Sequence, residues 1–124
     1  MTKRVLDVGN CAYDHQSIRA LLLRDFQAET IAAHSASEAL REAETGRYDL
    51  ILVNRVLDED GSLGIEIIET LKSQPQTKDL PVMLITNYAE HQATAIAAGA
   101  EPGFGKQTLH APETNARLQA ILGK

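Results

Sequence analysis

Short apolar runs alternate with segments of helical period along the whole chain, and this alternation restricts the fold more than any other feature. "RVLDV" (4–8) reads as a strand interrupted by Asp7. Ile18, Leu21, Leu22 and Phe26 then share one face of a helix expected from about Asp14 to Phe26. "ETIAAH" (29–34) is a second strand. Ser35 and Glu38 have the spacing of a capping box, with Ala36, Ala39, Leu40 and Ala43 following at helical intervals. "LILVN" (50–54) is the clearest strand, an apolar run that stops on Asn54. The polar loop "RVLDEDGS" leads into a helix carrying Ile65, Ile68 and Leu71, which ends before Pro75. "PVMLIT" (81–86) is a fourth strand, and an alanine-rich helix over about Glu90 to Ala98 closes on Gly99. "PGFGK" (102–106) makes a poor fifth strand because of Gly103 and Gly105, and Pro112 suits the first turn of a last helix burying Leu118, Ile121 and Leu122.

Five strands, each followed by a helix, require right-handed crossovers and hence a parallel sheet covered on both faces. The expected fold is α/β: a single-domain, doubly wound, five-stranded parallel sheet of the flavodoxin-like type, strand order 2-1-3-4-5. The 124 residues suit one domain over 1–124, either a standalone protein or a unit of a longer chain. A net charge of −5 argues against direct nucleic-acid contact. No apolar run approaches a membrane span, and the first ten residues lack the apolar core of a signal peptide. Cys11 is the only cysteine, so no internal disulfide forms and a cytoplasmic location is expected.

In open α/β sheets, ligands gather at the carboxyl ends of the strands, so Asn54 stands where chemistry is expected. Asp7 needs a partner if it lies in a covered central strand, with His34 and Arg55 as candidates. The favoured reading is a buried, satisfied polar residue. The other is a remodelled pocket, since Asp7 shares strand parity with Gly9. His15, His34, His91 and His110 are scattered, without metal-ligand spacing, and read as surface residues. Cys11 reads as a packed small residue, and "GFGK" lacks the spacing of a phosphate loop. No nucleophile–base–acid arrangement is recognisable, and an enzyme is not expected.

"YDLILVN" (48–54), "PVMLIT" (81–86), "AGAEPGFGK" (98–106) and "EAL" (38–40), in this order and spacing, resemble the receiver domain of bacterial two-component response regulators. The resemblance covers essentially the whole chain. It implies a CheY-like (βα)5 fold and a signalling role in a phosphorelay. Receivers form an acyl phosphate on an aspartate, with two acidic residues holding magnesium, a hydroxyl meeting the phosphoryl group and a lysine balancing its charge. By the resemblance, Asn54 occupies the phospho-acceptor position and Gly9 and Asn10 the acidic pair. Thr86 and Lys106 match the switch hydroxyl and the lysine.

Three carboxylates are thus missing. A neutral amide cannot form the acyl phosphate, and magnesium binding is expected to be weak or absent. Gly103 stands where the family often has a switching aromatic, Gln107 where it usually has a proline, and Phe104 falls in a core-facing slot. Asp58, Glu59 and Asp60 are candidates for a surrogate carboxylate, with a turn as the plainer reading. Lys106 is expected to donate to the Asn54 side-chain oxygen or to lie toward Asp58 or Asp60.

The expected function is therefore a pseudo-receiver acting through phosphorylation-independent protein contacts. Its expected surface is the fourth helix, fifth strand and fifth helix, including Tyr88, Ala93, Phe104 and residues 112–122. The expected partner is a histidine kinase, an output domain or a second copy. The alternatives are a conventional receiver using a surrogate carboxylate such as Asp58, and a flavodoxin-like domain holding a small ligand near residues 9–14, 54–61 and 86–88.

Overall fold

The five apolar runs form five parallel strands, and the computed structural model describes residues 2–123. In chain order these are β1 (Arg4–Val8), α1 (Ala12–Phe26), β2 (Glu29–Ala33), α2 (Ala36–Thr45), β3 (Leu50–Asn54), α3 (Gly64–Ser73), β4 (Val82–Ile85), α4 (Ala89–Ala97), β5 (Glu101–Phe104) and α5 (Pro112–Leu122). A short 3-10 turn over Lys106–Thr108, which the pattern does not announce, links β5 to α5. The sheet order is β2-β1-β3-β4-β5, the flavodoxin-like order expected above.

Side-chain parity divides the core into two layers. Leu6, Val8, Ile51, Val53, Val82 and Leu84 pack with Ala39, Ala43, Ile67, Ile68, Leu71 and Ala95 from α2, α3 and α4. Val5, Leu50, Leu52, Met83, Ile85 and Phe104 pack with Ile18, Leu21, Leu22, Leu118 and Leu122 from α1 and α5. β1 and β3 are central and covered on both faces, which explains why β3 reads as an unbroken apolar run.

Local chemistry sets the element ends. Ser35 Oγ accepts from the Glu38 backbone N–H at 3.2 Å, while the Glu38 carboxylate reaches one residue further back, to the His34 N–H at 3.0 Å. Helix α1 starts at Ala12, two residues earlier than its apolar stripe suggests, because the exposed first turn carries no periodic signal. β5 starts at Glu101 and includes Gly103. A side chain there would press on the Leu84 carbonyl, its Cβ 2.3 Å away. In the space left, the Gln92 amide donates to the Leu84 carbonyl at 2.8 Å and accepts from the Gly103 N–H at 3.0 Å. A helix side chain thus braces the strand that composition makes weakest.

At the opposite end of the sheet, Tyr48 is buried, donates to Glu42 Oε1 at 2.6 Å and lies under the Arg4 guanidinium, 4.8 Å from its ring centroid. Burial first, then the Glu42 carboxylate, pushes its phenol up to about 12. An alkaline absorbance titration is expected to show a tyrosine step near that value, moved down by Glu42→Gln. A Glu42→Gln profile identical to the parent's would contradict this.

Candidate functional site

The carboxyl ends of β1, β3 and β4 converge on a small set of polar side chains. Asp7 is 1% exposed and, like Val5, points from β1 toward α1 and α5. One carboxylate oxygen takes a 2.6 Å contact from His15 Nδ1 on the first turns of α1. The other accepts from Asn10 Nδ2 at 2.5 Å. Both oxygens act as acceptors, so His15 carries its proton on Nδ1 when Asp7 is ionised. Desolvation nevertheless raises the Asp7 carboxyl above its ordinary value, against the lowering contacts from His15 and Asn10.

A second pair sits beside the first. Lys106 Nζ lies 2.8 Å from Asp14 Oδ2, and Cys11 Sγ donates to the same oxygen at 3.4 Å. The lysine contact is the main reason that the Asp14 carboxyl lies below its ordinary value. Each carboxylate thus has its own basic partner, Asp7 with His15 and Asp14 with Lys106.

Asn54 ends β3 and spends its amide hydrogens on two carbonyls, Gly9 at 3.1 Å and Val56 at 2.9 Å. Gly9 has φ +82, and a Cβ there would lie 2.3 Å from Leu57 Cγ. This backbone therefore excludes any side chain at Gly9 unless Leu57 moves. Thr86, just past β4, is 8% exposed and its Oγ1 accepts from the Tyr88 N–H at 3.3 Å. A cavity of about 200 Å³ opens here, lined by Asn54, Arg55, Val56, Ile85, Thr86, Asn87, Tyr88 and Lys106.

A family model for the response regulator receiver domain matches residues 11–118. The chain belongs to that family. The receiver domain is 31% identical to the alkaline phosphatase synthesis transcriptional regulatory protein PhoP of Bacillus subtilis, over 98% of this chain and 49% of that protein. It is 27% identical to the transcriptional regulatory protein CiaR of Streptococcus pneumoniae, over 94% of this chain and 47% of that protein. It therefore spans about half the length of the curated relatives it matches. Among solved structures, the chemotaxis response regulator CheY4 of Vibrio cholerae superimposes with a TM-score of 0.75 at 26% identity, covering 98% of this chain and 100% of that one. The signal receiver domain of a DNA binding response regulator from Colwellia psychrerythraea gives 0.82 at 20% identity, covering 98% and 99%, a likeness of fold alone. Receiver domains are signalling modules, and this chain is a signalling module related to two-component response regulators.

The residues at this end of the sheet do not fit a magnesium ion. Gly9 offers no side chain, Asn10 and Asn54 turn their amide nitrogens inward, and Asp7 is enclosed by its partners. Among the described residues, no group of three or more His, Cys, Asp or Glu is placed to hold a metal ion. Magnesium seeks carboxylate oxygens, and the cavity beside Asn54 is lined by none.

Several sequence expectations are corrected. Asp7 pairs with His15 and Asn10 instead of His34 or Arg55, because its parity aims it at α1; His34 is exposed and Arg55 turns to the Tyr88 ring. His15 is consequently not a surface residue, its side chain being 18% exposed. Lys106 reaches Asp14 rather than Asn54, Asp58 or Asp60. Asp58, Glu59 and Asp60 are exposed, and Asp60 Oδ1 accepts from the Ser62 N–H at 2.9 Å in a side-chain-closed turn. Cys11 is half-buried at the N-cap of α1 rather than fully packed. Phe104 is core-facing at 3% exposure, so it adds little to an outer surface. Asp14 and His15 were the residues missed. For His15 the signal is Asp7, a buried acid in β1 that needs a partner from the helix packed over it; nothing in the sequence singles out Asp14.

Proposed function

We propose that this receiver domain signals through protein contacts and without acyl-phosphate chemistry, Asn54 taking the phospho-acceptor position and Gly9 and Asn10 those of the acidic pair. The observation that carries this reading is the Asn54 side chain, whose amide is committed to the Gly9 and Val56 carbonyls. A neutral amide held in this way is not a nucleophile, and its oxygen brings no charge to a cation. Asp58 is exposed and Lys106 is paired with Asp14 instead, which gives Asp58 no support as a surrogate.

The surface proposed for partners is the one formed by α4, β5 and α5, where a groove of about 430 Å³ runs between Tyr88, Ala93, Ile96, Pro102 and Arg117. Tyr88 and Ile96 are 54% and 45% exposed there, large apolar groups of the kind that anchor protein contacts. A histidine kinase, an output domain or a second copy would meet this face.

The test is a ¹H–¹⁵N correlation spectrum titrated with magnesium and then with beryllium fluoride. No shifts are expected at residues 9–10, 54–60, 86 and 106. Saturable shifts there, spreading into α4 and α5, would overturn the reading and point to a working site built on a surrogate carboxylate.

A further inference from the structure

Asp7 and His15 form a dyad to which the signalling role above gives no task. The carboxylate is 1% exposed in β1, and one of its oxygens lies 2.6 Å from His15 Nδ1. With Asp7 ionised, the imidazole proton is held on Nδ1, so the lone pair of the neutral ring stands on Nε2. A carboxylate behind an imidazole fixes its tautomer and orientation, and it stabilises the cation formed when the far nitrogen takes up an electrophile. Among the described residues, none of His34, His91 and His110 has a carboxylate within ion-pair distance.

The far nitrogen is open to solvent. Nε2 makes no hydrogen bond among the described residues, yet the enclosed side-chain atoms left without a partner there are Asn10 Oδ1, Thr30 Oγ1 and Gln74 Oε1 and do not include it. Arg19 follows one turn along α1, at the i+4 position, exposed and with no carboxylate partner among the described residues. Lys106 reaches the same stretch of helix, held on Asp14 at 2.8 Å. Cations gathered around an oriented imidazole suit an electrophile that itself bears negative charge. A guanidinium in particular matches the oxygens of a phosphoryl group.

We propose that His15 Nε2 is a phosphoryl-acceptor site, taking the group from a donor of the phosphoramidate class. The Nε2 lone pair forms the new P–N bond as the donor's own P–N bond breaks, and the donor leaves with that electron pair as a neutral amine. The ring keeps its Nδ1 proton, and Asp7 balances the imidazolium that results. No metal takes part. The inference goes beyond the contact-borne role above and makes no use of Gly9, Asn10 or Asn54.

The experiment incubates the whole chain with potassium phosphoramidate in EDTA at neutral pH and maps the label by mass spectrometry without acid. His15 is expected to react about tenfold or more faster than the exposed His34 and His110, since a carboxylate behind an imidazole is worth roughly 10–100-fold. His15→Gln is expected to lose the fast-forming label. Asp7→Asn turns an amide donor toward Nδ1 and fixes the opposite tautomer, so its His15 is expected to fall to the rate of the exposed histidines. Should Asp7→Asn not fold, the comparison of histidines within the parent chain decides alone. The proposal is overturned if His15 stays unlabelled, if it reacts no faster than His34 and His110, or if folded Asp7→Asn reacts as the parent does.

Discussion

Replacing His15 with alanine is expected to lower stability at neutral pH by about 1.5–3 kcal/mol, the range for a hydrogen bond to a charged group. The Asp7 carboxyl is 1% exposed and would keep only Asn10 as a partner. Burial already raises its titration above the ordinary 3.8. The folded protein therefore holds a proton on Asp7 that the unfolded chain has released, in the window from 3.8 up to the folded value. Its contribution is fully present below 3.8 and lost as pH rises through that window. Without His15 the folded value moves higher still, so the penalty of His15→Ala is expected to shrink toward pH 4, as Asp7 accepts its proton (~4 being the ordinary carboxylate range). Urea unfolding of parent and variant at neutral and acidic pH measures both effects. A loss below about 1 kcal/mol, the size of a surface pair, or a loss independent of pH, would show that the contact does not hold Asp7 in place.

Placing aspartates at Gly9 and Asn54, the positions proposed above for the acidic pair and the acceptor, is expected not to create a working site, for a reason lodged in the backbone. Gly9→Asp places a Cβ against Leu57 at φ +82. Overpacking costs roughly 1–3 kcal/mol and a left-handed non-glycine residue about 1–2 more. Asn54→Asp alone is milder but also unfavourable, since a carboxylate oxygen would replace a donor facing the Gly9 and Val56 carbonyls, at about 1–3 kcal/mol for the polar group left unmatched. Neither Asn54→Asp nor the double variant is expected to acquire a phosphoryl group from acetyl phosphate and magnesium, as read by intact-protein mass. A stoichiometric, magnesium-dependent mass increase in Asn54→Asp would mean that the site has lost only its nucleophile.

The succession of strands and helices could be read from the sequence because β3 and β4 are buried on both faces and therefore continuously apolar, while α2 and α5 announce themselves through Ser35 and Pro112. β5 was legible only faintly, because what stabilises it is the Gln92 side chain eleven residues upstream, a contact no local pattern encodes. The parity of Asp7 told which layer it faces, though not which residue would meet it. That depended on α1 beginning at Ala12 and so bringing His15 over the strand. The Lys106–Asp14 pair was hidden for a related reason: it joins the 3-10 turn after β5 to α1, two elements far apart in the chain.

The loop after β3 is knitted into the sheet more tightly than its polar composition suggests. Asp58 N–H bonds the Gly9 carbonyl at 2.8 Å, Leu57 N–H the Ser62 carbonyl at 2.9 Å and Gly64 N–H the Arg55 carbonyl at 2.8 Å, and Val56 bridges Leu63. Asn54 adds a brace from the end of β3 to the same Gly9 carbonyl. Segments that rearrange on their own belong to the least stable cooperative units of a protein, with few such ties. Here the ties join the loop to the central strands β1 and β3, so its amides are expected to share those strands' protection from hydrogen exchange. Under the function proposed above, a loop tied in this way would suit a domain that communicates as a rigid body, by which partners it holds and where it holds them.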